Sequence, residues 1–82
     1  MWNLASYYRE AQLKRRTMIW NFSENLKRIR LEKGLTQKQL AEAINVTRPT
    51  ITFYESGRVE PQLEKLLMLS SSLGVSLDEL MR

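Results

Sequence analysis

No cysteine and no histidine occur among the 82 residues of this chain. Without thiols there is neither a disulfide framework nor a thiolate metal site, which suits a reducing compartment. Without imidazole the chain lacks the usual general base and the commonest metal ligand. Asp78 and Glu79 are adjacent acids, but they read as helix-capping chemistry rather than as a catalytic pair. Neither an enzyme, nor a metal, nor a cofactor is expected. No run approaches the roughly 18 apolar residues that a membrane-spanning helix needs. The N-terminus lacks the unbroken apolar core and small-residue cleavage site of a secretory signal. A soluble cytoplasmic protein with no membrane partner is the expectation. Glycine and proline are scarce as well, at three and two, and each falls where a helix starts or stops. Nowhere does an alternating strand pattern appear.

What is present is charge, unevenly spread. The net charge is +4, made of +6 over residues 1–58 and −2 over residues 59–82. Such a basic end suits a domain that turns one side to a polyanion. A solvated surface of arbitrary asymmetry would look the same on charge alone. The length implies one domain, below the typical ~100–150 residues. A chain this short buries a core with difficulty, so pairing with a second copy would help.

Helical signals run in order from residue 23. Ser23 reads as a cap behind Phe22, with Glu24 in the first turn, where the dipole favours it. Leu26 and Ile29 carry the buried face of this first helix, Lys27, Arg28 and Lys33 its outer face, and Gly34 its end. The stretch LTQKQLAEAINVTRPTITFYESG at 35–57 organises the rest. Thr36 and Gln39 have the spacing of a capping box. Leu40, Ala41 and Ile44 make one buried stripe, and Asn45 accepts the left-handed backbone that ends a helix. Thr47 is a second cap candidate, and Pro49 sits in a first turn, where a missing amide costs little. Ile51 and Tyr54 share the inner face of that helix, and Gly57 closes it. Two short helices joined by so tight a turn form a helix-turn-helix. Beyond it, Pro61 is placed in the first turn of a fourth helix, with Leu63, Leu66, Leu67 and Leu73 as its buried face. Ser76 and Glu79 cap a last helix bearing Leu77, Leu80 and Met81.

This pattern resembles the Cro and phage-repressor (XRE-type) helix-turn-helix family. The likeness rests on Gln37, Leu40-Ala41, Val46, Ile51 and Tyr54-Glu55-x-Gly57, with Arg30 upstream and LGVSLDEL at 73–80 downstream. It covers about residues 23–82. The fold it implies is all-α, a five-helix lambda-repressor-like domain with the helix-turn-helix at its second and third helices. The resemblance also pairs Arg30 with Glu55 as a structural ion pair. It places Arg48, Pro49 and Phe53 at base-reading positions of a recognition helix spanning 48–56. Thr47 and Thr50, on the same outer side as Thr52, complete the expected base contacts. Chemically, Arg48 can donate bidentately to guanine, whereas Pro49 and Phe53 offer only apolar contact, most naturally to a thymine methyl. The expected half-site therefore holds a guanine beside one or more thymines. Gln37, at a helix N-terminus, suits a phosphate. By resemblance it also buttresses the recognition helix. Lys38, Thr52 and Arg58 complete the set expected on phosphate, where contacts position the domain without reading sequence. Two features depart from the family pattern. Asn45 replaces the usual turn glycine, and Pro49 and Phe53 are less polar than typical readers.

Residues 1–22 lie outside the resemblance and are assigned as an N-terminal extension to the domain at 23–82. They hold five of the seven aromatics together with the basic run Lys14-Arg15-Arg16. An extra packed helix, a basic arm for phosphate or the minor groove, and an amphipathic anchor are all compatible with them. Met18 could itself serve as a start. The resemblance implies a bacterial or phage transcriptional regulator, a repressor first, binding double-stranded DNA as a homodimer. Leu77 and Met81 are the first candidates for the dimer contact, and the aromatic extension is the second. An antitoxin that contacts its toxin through residues 1–22 is a related reading. A protein-interaction module, with Pro49, Phe53 and Tyr54 as an apolar docking patch, is the competing class.

Overall fold

The computed structural model describes residues 21–82, and all of their regular structure is helical. Helix α1 occupies residues 21–32, α2 is Gln37–Ala43, α3 Arg48–Ser56, α4 Leu63–Leu73 and α5 Leu77–Met81. Five helices without a strand among the described residues meet the all-α expectation. None is long and apolar enough to cross a membrane. The readings of residues 1–20 as helix, arm or partner element lie outside the described residues.

Every helix sends a side chain into one core. Leu26, Leu40, Ile44, Ile51, Leu69 and Leu80 are fully buried, each stabilising the fold by roughly 1.5–3 kcal/mol. In α1, Phe22 and Ile29 join Leu26 on the inner face. Ser23 departs from expectation here. Residues 21 and 22 are already helical, so Ser23 lies inside α1 and is buried rather than capping it. Its Oγ stands 3.3 Å from where a Cβ at Gly57 would be. A small side chain thus meets a residue with none, which lets α1 approach the end of α3. Gly57 also has φ of 78°, a left-handed backbone that glycine adopts without steric cost.

The capping box of α2 is complete. Thr36 Oγ1 accepts from Gln39 N at 3.0 Å, and Gln39 Oε1 accepts from Thr36 N at 2.8 Å. Asn45 takes the left-handed turn at φ 59°, and Val46 N then donates to Ala41 O at 2.9 Å. Thr47 has the extended backbone of an N-cap. Its hydroxyl, however, makes no cap bond to the backbone and pairs instead with the Thr50 hydroxyl at 3.0 Å.

Two expectations for α4 are corrected. Gln62 is its N-cap, so Pro61 precedes the helix instead of occupying its first turn. Its buried side is Leu69 and Leu73 with Leu66 packed alongside, while Leu63 and Leu67 are 65% and 50% exposed. Leucines stand at 63, 66, 67, 69 and 73, so the pattern alone does not single out a face. The docking of α4 decides it. Helix α5 starts with the expected Ser76–Glu79 capping box. Leu80 is buried, Leu77 is half-buried, and Met81 packs partly against the core. Asn25 Nδ2 donates to Leu80 O at 3.0 Å, tying α1 to the last helix.

Burial raises the Tyr54 hydroxyl above its ordinary pKa. The neutral form is therefore favoured in the fold, and its contribution is complete below the unfolded value near ~10. Above that pH the unfolded chain ionises first, so stability falls as pH rises towards the folded value. Urea midpoints measured from pH 8 to 11 should decline steeply at the alkaline end. A Tyr54→Phe variant should decline less, and an equal decline would refute Tyr54 as the source.

Candidate nucleic-acid interface

Helix α3 is divided by burial. Ile51 and Tyr54 are 0% and 5% exposed, whereas Arg48, Pro49, Thr52 and Phe53 face solvent together with Thr47. Thr50 is half-buried between the two sides. The expected base-reading positions therefore do come together on one outward surface. Pro49 and Phe53, four apart, stand one above the other on it.

The inner side of α3 is locked to α1 and α2 by a part-buried polar cluster. Arg30 Nε donates to Glu55 Oε2 at 2.6 Å and Nη2 donates to Oε1 at 3.2 Å. Both side chains are under a tenth exposed. Arg30 Nη1 also donates to Leu35 O at 2.8 Å, just before α2. Gln37 Nε2 donates to Glu55 Oε1 at 3.1 Å, and Gln37 Oε1 accepts from Thr52 Oγ1 at 3.2 Å. One carboxylate thus gathers a guanidinium and a carboxamide from two other helices. The arrangement fixes the angle at which α3 leaves the body of the protein.

Gln37 accordingly buttresses α3, and its amide keeps a second N–H for an outside acceptor. Gln37, Lys38 and Arg48 border one open depression beside Arg30 and Leu31, which puts two cations next to that amide. Thr52 is already engaged, since its hydroxyl is shared between Gln37 and Arg48 O at 3.4 Å. Arg58, one residue past Gly57, lies with Cζ 5.9 Å from the Phe53 ring centroid, within cation–π range. Arg28 is held by Glu32 at 3.1 Å. No ion pair engages Lys38, Arg48 or Arg58 among the described residues.

Sequence reasoning missed three contacts, one of them made by Thr52, a residue expected on phosphate. Thr52 joins the Gln37 network, Lys65 Nζ donates to Ile44 O at 3.0 Å beyond the end of α2, and Asn25 reaches α5. All three bonds cross between helices. A cation near a helix C-terminus is favourable, but no local pattern marks Lys65 as the one that reaches it.

Comparison with known proteins agrees with this geometry. A family model described as helix-turn-helix matches residues 26–80. The chain is 48% identical over 61 residues to the HTH-type transcriptional regulator YqaE of Bacillus subtilis, covering 74% of this chain and 53% of that protein. It is 43% identical over 60 residues to the HTH-type transcriptional activator BcrR of Enterococcus faecalis, covering 73% of this chain and 29% of BcrR. It thus spans about half of the first relative and less than a third of the second. Among solved structures it resembles the restriction-modification controller protein C.AhdI of Aeromonas hydrophila. That match has a TM-score of 0.71 at 29% identity, covering 76% of this chain and 94% of that one.

Proposed function

This chain belongs to the helix-turn-helix family, and from that premise we propose that it is a sequence-specific, double-stranded-DNA-binding transcriptional regulator acting as a repressor. One observation carries the reading. The outward face of α3 holds Arg48, Pro49 and Phe53 in the open, while Glu55 beneath it is clamped by Arg30 and Gln37. A rigid helix with one exposed face fits the B-DNA major groove, about 12 Å wide. Arg48 is the guanine reader, and Pro49, Thr47, Thr50 and Phe53 complete the surface against bases. Gln37, Lys38 and Arg58 hold phosphates, with Thr52 setting the Gln37 amide.

One domain touches few base pairs, and specificity against a genome needs more. The active species is therefore a homodimer in the cytoplasm, with two recognition helices about one DNA turn, roughly 34 Å, apart. Leu77 and Met81 of α5 are the proposed contact. Repression follows the resemblance to Cro and the phage repressors. That one relative is named an activator makes the direction of regulation a separate question from DNA binding.

The test is DNA affinity against salt, using a duplex selected by the protein from a random pool. Affinity should fall with a log–log slope of about −0.9 per phosphate contacted. Lys38→Ala should weaken every duplex alike and make the slope shallower by about 1. A flat response, or failure to select any duplex, would favour a protein-docking role for Pro49 and Phe53.

A further inference from the structure

The polar side chains on the outward surface of α3 are largely turned to one another. The Thr47 and Thr50 hydroxyls share a hydrogen bond at 3.0 Å. Thr52 Oγ1 is bonded to Gln37 Oε1 and Arg48 O. Each of these hydroxyls already has a partner inside the protein, although one O–H of the Thr47–Thr50 pair and the lone pairs of Thr52 stay available. The side chains on this surface with no hydrogen-bond partner at all among the described residues are Arg48, with its guanidinium, and the apolar pair Pro49 and Phe53. Phe53 is 38% exposed, and its ring is held from one side by Arg58. Arg58 keeps its N–H groups for a nearby phosphate.

In the major groove, an apolar surface can distinguish bases only by what is apolar there, the C5-methyl group of a pyrimidine. We propose that Phe53, with Pro49 beside it and the Arg58 guanidinium over its ring, is a reader of 5-methylpyrimidines. It accepts thymine or 5-methylcytosine through the methyl group, and DNA binding by this protein is therefore sensitive to cytosine C5 methylation at that step. The proposal rests on the DNA-binding reading above and adds the chemical class that the apolar half of the surface recognises.

The experiment uses the full chain and the selected duplex. Each thymine is replaced singly by deoxyuridine, which removes only the methyl. In a second series the base pair at the sensitive step becomes C·G, with cytosine either plain or C5-methylated. At one thymine of each half-site, the deoxyuridine duplex should bind about fourfold more weakly, the factor given by burying one methyl. At that step, methylated cytosine should bind about fourfold better than plain cytosine. In Phe53→Ala both ratios should fall to near one while the salt slope persists, and thermal melting of the variant checks its fold. Equal binding of thymine and deoxyuridine at every position would overturn the proposal, as would ratios that survive in Phe53→Ala. In either case a steep salt slope would leave the DNA-binding reading standing. If no duplex can be selected, both readings fall together.

Discussion

Arg30→Ala should cost the domain about 3–5 kcal/mol, the penalty for stranding one member of a buried ion pair. The Glu55 carboxylate would remain nearly dry and keep only the Gln37 amide, having lost both guanidinium bonds at 2.6 and 3.2 Å. Leu35 O would lose its donor too. A domain of this size holds only about 3–9 kcal/mol in total, so the variant should be largely unfolded at 37 °C. The pair itself contributes little net stability, because desolvating two ions offsets their attraction. Arg30→Met combined with Glu55→Leu should therefore recover most of what Arg30→Ala loses. Urea denaturation of both variants checks this. A loss below about 1 kcal/mol in the single variant would show that water reaches Glu55. A double variant no better than the single one would show that the pair stabilises the fold outright. The recovered protein should still bind DNA poorly, since leucine cannot accept from Gln37 and only the Gln37–Thr52 bond then gives α3 a polar tie to α2.

Much of this framework was legible in the sequence because its signals are local. The Thr36–Gln39 and Ser76–Glu79 spacings each encode two reciprocal bonds within one helical turn. Asn45, Gly57 and Gly74 mark left-handed ends that few other residues tolerate. Leu40, Ala41, Ile44, Ile51 and Tyr54 stand on stripes that any helix would bury against something. Arg30 and Glu55, 25 residues apart, were paired by family resemblance; no spacing rule would have joined them. The misses share a cause. Ser23 has a cap's chemistry, but Phe22 has to reach the core, and burial of an aromatic outweighs a cap of about 1 kcal/mol. Pro61 is compatible with either side of a helix start, and Gln62 takes the cap. In α4 the leucines surround so much of the helix that the choice of Leu69 over Leu63 belongs to tertiary packing. At the interface the sequence identified which residues stand on α3. It could not show that the threonine hydroxyls bond to one another and to Gln37, because hydroxyl partners depend on distances across the turn.

The proposed hydrogen-bond readout centres on one side chain, and Arg48→Ala should reveal it. Arg48 is exposed at the start of α3 with no carboxylate partner among the described residues. Its removal should leave the melting temperature almost unchanged, since surface substitutions usually fall within about ±0.5 kcal/mol. The effect on recognition should be much larger. A bidentate arginine–guanine contact discriminates by about 1–3 kcal/mol, or roughly 5- to 150-fold. Two copies on a near-palindrome should lose this at both half-sites. Repeating the duplex selection with the variant should give a motif degenerate at one position per half-site, with the thymine position intact. Arg48→Lys should recover only part of the loss, because an ammonium lacks the planar fork that matches guanine O6 and N7. If instead every duplex weakens equally and the motif stays sharp, Arg48 is a phosphate contact. The guanine would then have to be read by another donor, such as the spare O–H of the Thr47–Thr50 pair.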